Sequence, residues 1–264
     1  MIGHDLAEGL RIQGRVIMAL MLREARTRYG RMKVGYLWAL VEPTIHIALF
    51  SLLFSYRWVT VPLGSSVLLF LATGFLTFFG FRNVMSRTSG AYGSNEALLS
   101  FPVVRVMDVF LGRALLELAT WLTVTFLILG GLILFGVAPL PHDIPKILGA
   151  ILALFAIGFG AGIVVGILSE FWATFGSLMS VPLRLLYFTS ALFFLPDAIP
   201  SAMRDILAWN PVLHGITLFR EGYYQGYDSH MLDEGYLIVW AIGSVLCGLV
   251  VEKIARKPLR RLAT

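Results

Sequence analysis

A chain of 264 residues in which 58% are apolar and only 14% charged does not match a soluble domain, where about a quarter of residues carry charge. Its net charge of +5 would point to nucleic acid in a soluble protein. Here the cations sort to one side of a series of apolar runs, so membrane topology accounts for them and no nucleic-acid partner is expected. The lone cysteine, Cys247, excludes an intrachain disulfide framework and a cysteine metal centre.

Residues 1–33 read as a charged cytoplasmic segment without the apolar core and small-residue cleavage site of a signal peptide. Within it, residues 5–26 have helical periodicity. Leu6, Leu10, Val16, Ile17, Leu20 and Met21 share one side, and Arg11, Arg15 and Arg26 lie opposite. The pattern fits an amphipathic helix lying at the inner membrane surface, docked against the rest of the protein, or both. A basic collar follows, with Arg23, Arg26, Arg28, Arg31 and Lys33 running directly into apolar sequence.

Runs of about 20 apolar residues suit membrane-spanning helices. They predict a six-span domain over 34–251, with spans at about 34–56, 62–84, 109–135, 146–168, 177–195 and 235–251. A basic tail, 252–264, completes the chain. Sixteen of the 21 Lys and Arg residues fall in the N-terminal segment, the second-to-third connection with its flanks, and the tail; four fall on the other face. That bias puts both termini in the cytoplasm.

The first span carries Glu42 and Pro43, which are costly in lipid and therefore belong against protein or a water-filled path, as an inward-facing kink. His46, four residues on, shares a face with Glu42 and reads either as a proton relay or as a structural hydrogen bond. Residues 85–108 form the largest cytoplasmic connection. Ser94 or Asn95 is placed to cap a short helix through Leu98, Leu99 and Phe101, ended by Pro102. Such apolar residues on a cytoplasmic loop need a partner surface or the membrane interface. Arg113 and Glu117 are spaced to pair or snorkel at the start of the third span.

The fourth span holds Gly158, Gly162 and Gly166 at four-residue spacing, a face for close helix packing. Arg184 lies alone in the fifth span, facing a polar path or paired with an acid such as Glu42. The external connection, 196–234, is too apolar to be a free loop. Its Pro and Gly breaks predict short helices dipping into the outer membrane boundary.

Little in the chain carries enzyme chemistry. There is no G-x-x-x-x-G-K-[ST] loop for ATP, no H-E-x-x-H pair among five scattered histidines and no G-x-S-x-G elbow. A membrane enzyme acting on lipid-linked sugars and a proton-coupled transporter using Glu42 and His46 are the rivals to a transport permease. The many aromatics divide between interfacial belts, core and faces able to stack on sugar rings.

Three segments then converge on one family. RTRYGRMKVGYLWALVEP (26–43), NEALLSFPVVRVMDVFLGRALLE (95–117) and WNPVLHGITLFREGYY (209–224) resemble the first span, the cytoplasmic coupling segment and the external loop of permease subunits of type-2 ABC exporters, in the branch that exports capsular polysaccharide. The resemblance implies an all-α integral membrane fold. Six transmembrane helices would be joined by an N-terminal amphipathic interface helix, a cytoplasmic coupling helix and short re-entrant helices before the last span. It implies a homodimer in the bacterial inner membrane with two copies of a cytoplasmic ATPase, which would bring ATP and magnesium; the chain itself would hold no cofactor or metal. A periplasmic polysaccharide co-polymerase and an outer-membrane channel would follow.

The cargo would be a lipid-linked, anionic polysaccharide; permeases for O-antigen or teichoic-acid polymers are the nearest alternative. Under the resemblance, Asn95, Glu96, Leu98, Leu99, Phe101 and Pro102 would meet the ATPase. Arg28, Arg31 and Lys33 would either meet a lipid phosphate or only set topology. Tyr36, Trp38, Glu42, Arg184 and Tyr187 are candidates for the translocation path. Trp209, His214, Arg220 and Glu221 mark the external re-entrant loop.

Overall fold

The computed structural model of the chain describes residues 2–29, 35–56, 61–101 and 103–262; the side chains at 2–7, 10, 28, 29, 35, 36, 257 and 259–262 fall outside that description. Every regular element among the described residues is helical. The long helices are α1 (Ile2–Tyr29), α2 (Gly35–Ser55), α3 (Val67–Ser89), α5 (Val106–Leu134), α6 (Ile144–Phe171) and α11 (Glu234–Leu262). The short ones are α4 (Glu96–Leu99), α7 (Phe175–Leu178), α8 (Ser180–Thr189), α9 (Ser201–Leu207) and α10 (Pro211–Tyr223). Five helices, α2, α3, α5, α6 and α11, are long and apolar enough to cross a membrane.

Helix starts follow the sequence. The Ser66 hydroxyl accepts from Leu69 N–H, Asp143 from Lys146 N–H and Asn210 from Val212 N–H, each satisfying an orphan donor of a first turn. Pro145 and Pro211 sit in first turns, where a missing N–H costs nothing. Pro43 is different: it lies inside α2, yet the helix continues through it.

The helix α3 is the axis of the fold, with Phe70, Leu71, Phe75 and Val84 wholly buried. It packs against α6 along the glycine stripe read from the sequence. A Cβ at Gly162 would lie 2.6 Å from Thr88 Cβ and 2.8 Å from the Met85 carbonyl. On its other side α6 meets α11 just as closely, Gly160 opposite Ser244. The stripe Gly158, Gly162 and Gly166 is thus the face for α3, and Gly160, outside it, admits α11.

The fifth predicted span, 177–195, is not one helix. The chain forms α7 and α8, of four and ten residues, and then runs non-helically through 190–195 into a 3-10 turn at Pro196–Ala198. Glu170, at the end of α6, lies beside Gly93, while Arg220 joins 191–194 to Phe70 at the opposite end of α3, so residues 172–199 run from one end of the bundle to the other as a broken segment. Hydropathy does not reveal the break, because the groups that tolerate it come from elsewhere in the chain. The connection 196–234 holds short helices, α9 and α10, where its Pro and Gly breaks predicted them. Helix α10 is buried along Val212–Tyr223, seated against α3, α6 and α11.

Candidate functional site

At the end of the bundle where α3 meets α5, α1 is docked by polar contacts. Gln13 donates to Asp108. Arg23 donates to Asn95 Oδ1 at 2.8 Å, and Glu24 pairs with Arg113 at 2.7 Å. Asp108, fully buried, also accepts from Arg105 N–H at the start of α5. Arg113 bonds the Gly90 carbonyl as well, at 2.8 Å. Asn95 does not cap α4. Its amide donates to the Ala91 carbonyl while its oxygen receives Arg23, and Ser94 turns back to Gly90. The docking of α1 claimed the residue that local sequence offered as a cap.

Around α4, Glu96, Ala97 and Ser100 are exposed, and Phe101 and Val103 are 58% and 60% exposed. Leu98 is half-buried and Leu99 packs inward on the core, so the outward apolar surface is Phe101 with Val103. Burial pushes the Tyr92 phenol up, and the nearby Glu170 and Glu96 carboxylates add to it.

At membrane depth, Glu42 pairs with Arg82 of α3 at 3.0 Å, and not with Arg184. His46 contacts the Glu42 backbone carbonyl at 3.3 Å and lies among Phe50, Phe75 and Phe79, the structural reading of the pair and not a relay. Arg184 is exposed on α8 and bonds no described residue. Tyr187, one turn on, joins a ring cluster with Phe75, Phe78, Phe188 and Phe193, at centroid separations of 5.2–6.1 Å. Trp38 stands 63% exposed on α2, away from that cluster. The structure thus gathers Glu42 and Tyr187 around Arg82, a residue the sequence marked only for topology. Arg31, Lys33 and Pro102 lie outside the described residues, as do the side chains of Arg28 and Tyr36.

The opposite end of the bundle is organised by Arg220. Its guanidinium donates to the carbonyls of Ala191 (2.6 Å), Leu192 (3.2 Å), Phe194 (3.3 Å) and Phe70 (3.3 Å), and lies 4.0 Å over the Phe70 ring. Three of those carbonyls are ones the break in the fifth crossing leaves without a helical partner. Ala191 also sits at φ 62°, a left-handed conformation that costs an L-residue about 1–2 kcal/mol.

Glu221, buried, accepts from Lys146 at 2.9 Å and from Ser229 N–H at 3.0 Å. Asp197 gathers Tyr227, Ser229 and His230 N–H. Burial pushes the Tyr227 phenol up to about 12, so it stays a donor. His214 accepts from Asp233 N–H at Nδ1, leaving Nε2–H to meet the Ala208 carbonyl at 2.8 Å. Trp209 is 76% exposed. The apolar-embedded Arg220 was the one sequence signal for this network; its acceptors, distant in sequence, gave none.

Comparison with known proteins agrees with this arrangement. Residues 15–224 match the family described as "ABC-2 type transporter". The chain is 29% identical to the polysialic acid transport protein KpsM of Escherichia coli, over 93% of this chain and 95% of that protein. It is 32% identical to the capsule polysaccharide export inner-membrane protein BexB of Haemophilus influenzae, over 93% of each. Against the O-antigen export system permease protein RfbA of Klebsiella pneumoniae the identity is 21%, over 94% of this chain and 93% of that protein. With most of its length matched and its helices fit to cross a bilayer, the chain belongs to the ABC-2 type transporter family, as a multi-pass membrane transport subunit and not an enzyme.

Proposed function

We propose that this chain is the inner-membrane permease of an ATP-driven exporter of capsular polysaccharide. The observation that carries the reading is end-to-end identity with proteins named for capsule export, 32% against 21% for the O-antigen permease. In this reading two copies of the chain form the channel, and two copies of a separate ATPase bring ATP and magnesium. A periplasmic co-polymerase and an outer-membrane channel continue the route. The cargo is a lipid-linked, anionic chain, and both termini are cytoplasmic, as the cation bias favours.

The proposed mechanism begins at the coupling surface, Phe101 and Val103 beside α4. An ATPase cleft closing on it pushes the loop between α3 and α5, and α1, tied to that loop through Arg23 and Glu24, moves with it. Arg28, Arg31 and Lys33 supply cations where a lipid phosphate arrives at the inner leaflet. The Glu42–Arg82 pair, Arg184 and Tyr187 offer polar and aromatic contacts at membrane depth. Such groups are too costly to face lipid and support a lined path between copies.

Co-expression with a candidate ATPase tests the reading. The wild-type chain is expected to co-purify with it. Phe101→Asp with Val103→Asp lowers ATPase recovery about tenfold, equivalent to roughly 1.4 kcal/mol of interface energy. Undiminished recovery together with normal polysaccharide export by the double variant would sink the coupling assignment.

A further inference from the structure

On the external face, α9, the 228–233 segment and the start of α11 enclose an open cleft of about 480 Å³. Its size falls in the range of small-ligand sites, room for about two sugar rings. Trp209 forms one wall. Its indole is bare while its backbone carbonyl is held by the Tyr236 hydroxyl at 2.8 Å, so the platform is anchored. The floor is equally fixed, because both ring nitrogens of His214 are engaged with backbone and its ring meets Tyr236 edge-on at 5.1 Å. Sites that are set before a ligand arrives lose little entropy on binding.

Other polar groups in the cleft are left over. Asp205 and the His230 ring bond no described residue. Arg204 spends Nε and Nη2 on the carbonyls of Ile199 and Asp197, leaving Nη1 over. The mixed signs of these groups argue against a plain anion site. A fixed aromatic face beside a carboxylate, an imidazole and the two N–H donors of a guanidinium Nη1 suits a ligand with an apolar C–H face and a hydroxyl rim. We infer that this cleft is an exit-side saccharide subsite, which takes a short stretch of the exported chain as it leaves the membrane. The inference rests on the export reading above.

The test uses the full exporter in cells that make the polymer. A photoreactive benzophenone amino acid is installed at His230, on the cleft, and separately at Tyr187, at membrane depth. After irradiation, a glycosidase-sensitive adduct at both positions is the expected result. A glycan adduct at Tyr187 but none at His230 overturns the subsite and leaves the export reading standing. No glycan adduct at either position counts against both. An adduct at His230 that resists glycosidase and yields to protease assigns the cleft to a protein partner and also overturns the subsite.

In parallel, Trp209→Ala lowers export about fivefold, the worth of one aromatic face, while Trp209→Phe retains most of it. ATPase co-purification is expected to be unchanged in both. Equal export by Trp209→Ala and wild type would overturn the role of the platform.

Discussion

Arg220 is a cation with none of its surface exposed and no ion pair to a described carboxylate. Burying such a charge costs several kcal/mol unless its donors are all used. Here they are used on the backbone of a broken crossing, and the Phe70 face supplies a further attraction. The side chain and the break therefore explain each other. Removing the guanidinium strands the carbonyls of Ala191, Leu192 and Phe194, each worth about 1–3 kcal/mol when left unmet in a buried site. Arg220→Met, close in length and apolar, is expected to lower the thermal unfolding temperature of the purified protein by several degrees. Arg220→Lys recovers only part of it, because an ammonium cannot span acceptors on α3 and on the 190–195 segment together. Methionine and wild type melting together would remove Arg220 from this role.

At the scale of elements, the α3–α6 seam runs to the 90–105 connection, since Met85, Thr88 and Ser89 lie at the end of α3 that leads into it. The glycines there are required by distance: a Cβ at Gly162 meets backbone at 2.8 Å, and one at Gly130 of α5 meets nothing within 4 Å. Gly162→Ala is expected to cost about 1–3 kcal/mol by overpacking and to reduce the monodisperse fraction in size-exclusion chromatography. Gly130→Ala leaves that fraction unchanged or raises it, by helix propensity. Equal yields from the two would mean that the seam yields freely. This stripe was fully legible in the sequence, because close helix packing leaves its mark in residues of one helix at fixed spacing. The break at 190–195 was not, because apolar composition there fits a span and the compensating donor lies about 30 residues on. The candidate site divides in the same way. The residues expected to meet an ATPase were picked out by an apolar stretch between two predicted spans. Which of them face outward depended on α1, whose hold on Asn95 crosses 72 positions. Glu42 found Arg82 across 40 positions, beyond the reach of any local pattern.

At the scale of the whole molecule, the helices are unevenly covered. No residue of α8 is buried, and only 11% of the membrane-spanning window of α2 is, against 78% for α3. An apolar surface of that kind can face lipid without cost. Arg184 on the exposed side of α8, with the part-exposed Glu42–Arg82 pair on the neighbouring helices, cannot. Lipid is thus a costly neighbour for this side of the molecule, and in the proposed homodimer a second copy enclosing a water-filled path would remove the penalty. The outer side of α11 carries Ile238, Val239 and Ile242 and no such charge, so lipid suits it. In a Cys247→Ser background, Leu185→Cys on α8 is expected to form an oxidant-dependent dimer in native membranes, and Ile238→Cys on α11 to remain monomeric. Both positions are more than half exposed in the single chain, so access to oxidant does not decide the outcome. Cross-linking at position 238 and none at 185 would put the second copy on the opposite side and leave Arg184 to be explained by a different partner.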